Sequence, residues 1–314
     1  MLNRRHIRVK VMQSIYAMHQ SGSDNLEKQE KFLQASIENI LDLYLVMMSA
    51  LIELRNREIN FIELSKNKHL ATPEDINPNL KFASNPILIS LSESNALSVA
   101  FENRKINNFQ VNDDAILYLL QDVKESDLYI NYMSKSETTF KEDRYFIADL
   151  FSEVIAPNDK FYSYLEDFKL TWVDDIPLVN TEILKQIKQI DDSEEDLIKL
   201  PKVYKDIEDK EFALTLFRKT ILNEDKLSKE FINKTPNWDI DRIAEVDTII
   251  IKMAICEILN FPSIPVKVTL NEYLEIAKEY STPKSSIFIN GILDSLVKSF
   301  QSEDRIKKIG RGLM

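Results

Sequence analysis

Four glycines in 314 residues leave this chain few ways to fold. They are Gly22, Gly291, Gly310 and Gly312. A turn-rich β architecture draws on glycine for its tight reversals, and a phosphate-cradling loop needs glycines clustered between a strand and a helix. No such cluster exists here, so Walker-type, Rossmann-type and kinase-type nucleotide sites are excluded. What fills the chain instead is the apolar spacing of amphipathic helices. An all-α fold is expected.

In the first helix Ile7, Val11, Ile15 and Met18 form one apolar stripe. Arg4, Arg5 and Arg8 fall mostly off it, so the helix can pack and still present cations. Gly22 is a C-terminal stop. A long helical pattern covers residues 26–66, with a break expected near Arg55 and Asn56. Pro73, Pro78 and Pro86 punctuate a polar connection. Helices are expected over 91–101, 115–123 and 138–155, the last stopping before Pro157. Asp191 to Asp196 is an acidic patch and a candidate linker. Further helices are expected over 210–222, 225–231, 242–259, 270–280 and 285–300. Pro262 and Pro265 bracket a corner, and Ser285 or Ser286 is the expected cap of the last helix.

Enzymatic chemistry finds little support. Cys256 is the only cysteine, so neither a disulfide nor a cysteine-based zinc site can form within the chain. A small buried residue in a helix is its expected role. The three histidines, His6, His19 and His69, show no metal-ligand spacing and no nucleophile context. Paired acids such as Asp174–Asp175, Asp191–Asp192 and Glu194–Glu195 are expected as solvated faces among 51 acidic residues. No cofactor, metal or catalysed reaction is expected. Residues 1–10 lack the apolar core of a secretory signal, and the apolar run 43–52 is too short to span a bilayer. A cytoplasmic location without membrane contact is the default expectation.

The net charge of −11 argues against nucleic acid, but the charge is unevenly spread. Arg4, Arg5, Arg8 and Lys10 precede the first acid, Asp24, and Arg305, Lys307, Lys308 and Arg311 end the chain. A bulk-acidic protein can hold phosphates at such an end. Arginine's planar fork suits two phosphate oxygens, and Tyr16 offers a stacking ring for an unpaired base.

A 66-residue shift superposes Glu142 on Glu208, Asp143 on Asp209, Phe146 on Phe212, Leu150 on Leu216 and Phe151 on Phe217. Both tryptophans, Trp172 and Trp238, coincide, as do Asp175 and Asp241. A decayed duplication whose first copy occupies 142–183 and a chance alignment of similar helices both explain this.

The stretch from Trp238 to Leu296 contains a Pro265-Val266-Lys267-Val268 corner and then Asn271-Glu272. Ala277-Lys278 and Phe288-Ile289-Asn290-Gly291-Ile292-Leu293-Asp294 follow. With Arg4-Arg5, Arg8, Gln13 and Ile15-Tyr16 at the start, it closely resembles the NusB family of transcription antitermination factors. The resemblance covers about 20 residues at the start and roughly 95 at the end.

That resemblance implies an all-helical, non-catalytic protein. It would bind boxA-type single-stranded RNA with NusE, a small-subunit ribosomal protein, and act on the RNA polymerase elongation complex. RNA contacts carry over to Arg4, Arg5, Arg8, Tyr16 and Phe288, and a partner-facing acid to Asp247. Lys284 stands where an acid can occur, and would add a phosphate contact. Asn271 and Glu272 are expected to open a helix at its positive dipole end. Together with Asn290 and Gly291 they are expected as corner and packing residues. Glycine inside a helix costs about 1 kcal/mol relative to alanine, which points to a close helix approach at Gly291.

The long middle is the departure. Residues 1–22 are expected as the first core helix, 23–200 as a helical insertion, 201–303 as the C-terminal core and 304–314 as a basic tail. Two other readings compete. A scaffold of the transcription machinery without direct RNA readout fits the acidity. An RNA cytosine methyltransferase, to which NusB-like modules are also fused, lacks its glycine-rich domain and cysteine motif here.

Overall fold

The computed structural model describes residues 1–193, 198–232 and 243–309. Every regular element among them is helical. Trp238, Asp241, Arg242, Glu194, Glu195, Gly310, Arg311 and Gly312 lie outside the described residues. The second half of the tryptophan pairing is therefore outside as well.

The chain divides into two compact units. One comprises Met1 and Glu38–Val203, the other Leu2–Ile37 and Tyr204–Met314. The charge divides with them. The first unit carries 30 acidic and 17 basic residues, a net −13, whereas the second carries 21 acidic and 23 basic, a net +2.

Helix α1 (Arg4–Gln20) belongs to the second unit, and α2 (Leu26–Lys66) contributes its residues up to Ile37 there and the rest to the first. The predicted break at Arg55 is absent: α2 runs unbroken for 41 residues. Its length and apolarity suffice for a bilayer, contrary to the reading of 43–52 as too short, but residues 43–48, with Ala50 and Leu51, are almost wholly buried in the protein.

The first unit continues through α3 (Pro73–Ile76), α4 (Pro86–Glu93), α5 (Asn95–Arg104), α6 (Asn108–Val111), α7 (Asp114–Glu125) and α8 (Asp127–Ser134). The single helix expected over 91–101 is split, because the Ser94 side chain caps α5 by accepting from Leu97 N–H and ends α4 in extended backbone. Helix α9 (Phe140–Leu150) passes into a π-helical turn, Phe151–Ile155. Then come α10 (Asp159–Phe168), a 3₁₀ segment over Leu170–Asp175, and α11 (Ile176–Gln189). Trp172 is buried there and donates its indole N–H to the Asn39 carbonyl at 2.9 Å.

The second unit is built around α14 (Glu245–Asn260), which packs against α1, α12 (Ile207–Leu222), α13 (Glu224–Ile232), α15 (Val266–Tyr280) and α16 (Pro283–Ser302). Every residue from Ile249 to Ile258 is buried, as expected of a helix apolar on all sides. Cys256 sits in that run, and burial pushes its thiol up to about 11. Gly22 follows α1 with φ +59°, the left-handed conformation that glycine adopts without strain.

Two expected helix starts move. Helix α16 is capped by Thr282, whose hydroxyl accepts from Ser285 N–H at 3.1 Å, so Ser285 is its third residue and not its cap. Helix α15 starts at Val266, which places Asn271 and Glu272 in its second turn, away from the positive dipole end.

Candidate nucleic-acid interface

Helix α1 opens with two arginines and no acid in its first turn, against the preference of a helix N-terminus for negative charge. Asn3 compensates locally. Its side chain accepts from His6 N–H at 3.0 Å, while His6 Nδ1 accepts from the Asn3 amide, closing a reciprocal cap. His6 thus interrupts the basic cluster in order to start the helix. Burial holds its pKa below the ordinary imidazole value.

Arg4 and Arg5 lie at the rim, with side chains 39% and 41% exposed. Arg4 Nε donates to Asp209 at 3.0 Å, and its guanidinium lies 5.3 Å from the Phe212 ring centre. Arg5 grips Glu272 with both prongs, at 2.8 and 3.0 Å. That bond raises the Arg5 pKa and lowers that of Glu272.

Arg8 departs from the expectation of a phosphate contact. Its side chain is 2% exposed and donates to Glu257 at 2.8 and 2.7 Å. Glu257, wholly buried in α14, also accepts from Thr269 Oγ1 at 2.7 Å and Tyr273 Oη at 3.2 Å. The Arg8 guanidinium lies between the Phe212 and Tyr273 rings, 5.2 and 5.7 Å from their centres. Burial works against its charge, but Glu257 more than offsets this and its pKa rises. The physical reason is the helical wheel. Position 8 shares a side with the buried Met12 and Ile15, so α1 is buried more widely than its first apolar stripe suggested. Sequence reasoning missed Glu257, although a lone acid within the apolar run 249–258 already demanded a partner.

The other expected positions scatter over the second unit. Tyr16, 39% exposed, stands on α1 roughly 16 Å along the axis from Arg5. Lys284 is exposed in the first turn of α16 and Phe288 is half-buried one turn on. Asp247 is buried in the first turn of α14, and its Oδ1 has no hydrogen-bond partner among the described residues. It does not present the partner-facing surface expected of it. Asn271 is exposed and not a packing residue. Asn290 reaches Asp294 on its own helix at 3.5 Å. Gly291 is exposed, and a Cβ there would meet nothing within 4 Å, so among the described residues no other helix approaches it closely.

The basic C-terminal group is largely absorbed by the fold. Arg305 pairs with Glu230 and Glu303, and Lys307 with Asp304. Lys308 donates to the Phe261 and Glu257 carbonyls, satisfying the C-terminal end of α14. Burial lowers its pKa. Arg311 lies outside the described residues.

At the far end of α1, His19 bridges two carboxylates. Nε2 meets Glu224 at 3.1 Å and Nδ1 meets Glu245 at 2.9 Å, and Lys252 also pairs with Glu224 at 2.7 Å. The bond to Glu224 raises the His19 pKa, and Glu224 falls to about 2 in return. Among the described residues no group of three or more potential ligands has the arrangement of a metal site.

The second unit is thus an all-helical bundle around one buried helix, with an arginine-bearing first helix at its rim. The NusB family model matches residues 179–298, from within α11 to α16. The chain is 38% identical over 118 residues to the transcription antitermination protein NusB of Salinibacter ruber, covering 38% of this chain and 73% of that one. It is 38% identical over 112 residues to the NusB of Chloroherpeton thalassium and over 100 to that of Clostridium kluyveri, spanning 53% and 62% of their lengths. A solved structure of T. maritima NusB is 26% identical, with a TM-score of 0.29, covering 52% of this chain and 92% of that one. The chain belongs to the NusB family.

Proposed function

We propose that this protein is a transcription antitermination factor that binds boxA-type single-stranded RNA of nascent ribosomal transcripts together with NusE, on the RNA polymerase elongation complex. The observation that carries this is the placement of Arg4 and Arg5. Two half-exposed guanidiniums crown a helix N-terminus in the one unit that is not acidic. Family membership supports the same reading. Tyr16, Phe288 and Lys284 are assigned to the same RNA, the aromatic rings for stacking and the lysine for phosphate. Arg8 is reassigned from contact to support: it holds α1 against α14 through Glu257.

The first unit is proposed to be the family's inserted domain, the counterpart of the expected insertion 23–200. Its net charge of −13 suits a basic protein partner better than RNA. This favours a scaffold role for that unit beside the RNA role of the other.

The test is a gel shift of the full chain on boxA RNA and a scrambled strand, with and without NusE. Wild type should prefer boxA, NusE should enhance binding, and R4A/R5A should lose at least tenfold in affinity. Equal binding to both strands, or an R4A/R5A variant that binds normally, would overturn the assignment. Capture of NusE with no RNA enhancement would leave the scaffold reading in its place.

A further inference from the structure

Between the start of α1 and the corner that leads into α15 lies an open cavity of about 450 Å³. Its size falls within the roughly 300–1,000 Å³ of small-ligand sites. Its lining combines the apolar side chains of Ile264, Pro265 and Val268 with the charged ones of Arg4, Arg5 and Glu272. Val268 is 44% exposed in the first turn of α15, so it presents apolar surface without belonging to the core.

The two kinds of lining suit the two parts of a nucleotide. The Arg5 guanidinium is held by two bonds to Glu272, which gives a fixed, charged plane at the rim. Such a plane stacks on a flat base and also attracts phosphate. Pro265 and Val268 offer a flat ring an apolar surface within the same cavity. The side-chain NH2 of Asn3 and the Glu272 carboxylate belong to lining residues and suit the hydrogen-bonding edge of a base. Arg8, which also lines the cavity, is held in place by its two bonds to Glu257. A second cleft of about 200 Å³, on the Phe212 side of Arg4, is rimmed by Glu208 and Glu211, and those carboxylates repel a phosphate.

We propose that this cavity takes one unpaired nucleobase of the bound strand, held against the Arg5 plane and the apolar surface of Ile264, Pro265 and Val268, with the adjoining phosphate at Arg4 and Arg5. The inference rests on the RNA reading above and adds a single position at which the protein senses the base as well as the backbone. A free nucleotide shares the same chemistry and is the competing source.

The experiment is an abasic scan. The full chain is titrated with a 12-nucleotide boxA-type RNA in which each base in turn is removed, alongside uridine and guanosine monophosphates as free probes. One abasic position should cost roughly tenfold, within the range of a single base stack. In Val268→Phe, whose ring fills the cavity without changing charge, the ratio of intact to abasic affinity at that position should fall below twofold. Ser263→Trp, at the exposed rim, is the second variant should the first unfold. A flat scan in wild type, or a ratio untouched by a folded cavity-filling variant, overturns the proposal. A flat scan combined with saturable binding of a free monophosphate gives the cavity to a free nucleotide and overturns it equally. In both cases a strand affinity that still falls in R4A/R5A leaves the RNA reading standing, whereas loss of all RNA binding removes both.

Discussion

Arg8 and Glu257 show how much one residue pair decides here. Both are buried, and the bonds that the Glu257 carboxylate accepts among the described residues come from donors on α1 and α15. Glu257→Gln would keep the shape but leave the buried Arg8 charge with only Glu272, 3.9 Å away, as a counter-charge. We expect a loss of about 3–5 kcal/mol in the stability of the second unit, followed by urea unfolding of the full chain. The double variant Arg8→Met/Glu257→Leu, which removes both charges, should recover most of that loss, and failure to recover would mean the ion pair specifies packing that apolar groups do not replace. His19 predicts a pH dependence. Its folded pKa lies above the ordinary 6.5, so its contribution is complete below about 6.5 and is lost as pH rises through the raised value. Glu224 is depressed from 4.5 to about 2, so its contribution is present above about 4.5 and is lost as pH falls toward 2. His6, lowered by burial, works in the opposite direction over the same range, so the readout is the variant: His19→Gln should lower the thermal midpoint more at pH 5.5 than at pH 8.5, shifting the difference between the two. An unchanged difference in the variant would assign the pH dependence to other groups.

At the scale of elements, α16 carries an unusual weakness. Gly291 lies in the middle of a 20-residue helix, exposed, in helical backbone and with open space where a side chain would stand. Gly291→Ala should stabilise the second unit by up to about 1 kcal/mol, read as a rise in the unfolding midpoint. A fall would reveal a packing constraint that the open surroundings do not show. The helix limits themselves were legible where the signal is local: Gly22 after α1 and the prolines around the α14–α15 corner act through neighbours in sequence, whereas the Ser94 cap that splits 91–101 was passed over. Legibility failed where competing caps stood close together. Thr282 and Ser285 both suit the start of α16, and only the hydrogen bond from Ser285 N–H to Thr282 Oγ1 distinguishes them. It failed similarly at Arg55, because polar residues in α2 find partners far away, as Arg55 does in donating to the Ala83 carbonyl at 2.8 Å.

For the whole molecule the governing quantity is where the charge lies. A chain of net −11 conceals a unit of net +2 that holds the arginine helix. RNA affinity should therefore fall with salt as it does for basic proteins. Removing Arg4 and Arg5 should lower the log–log salt slope by about 1.4, or roughly 0.7 per single-strand phosphate contact. A slope that does not change would place the phosphate contacts elsewhere.

The alignment of α9 and α12 in the 66-residue shift belongs to this scale as well. Phe146, Leu150 and Phe151 are buried in one unit, and Phe212, Leu216 and Phe217 in the other. Shared ancestry and shared amphipathicity both require that pattern.

By itself the sequence determined the helical class, through the scarcity of glycine and the spacing of apolar residues. It also determined the family, through the corner and the last helix. Both are local properties, written in residues a few positions apart. Which arginines face outward was decided only in three dimensions. Arg5 and Arg8 differ by one turn on α1, yet one meets Glu272 at the rim and the other Glu257 in the interior, 267 and 249 residues away. The wheel of α1 sets Arg8 beside Met12 and Ile15, but it does not say which carboxylate each arginine meets, because Glu257 and Glu272 come from α14 and α15 and their positions are set by how those helices pack.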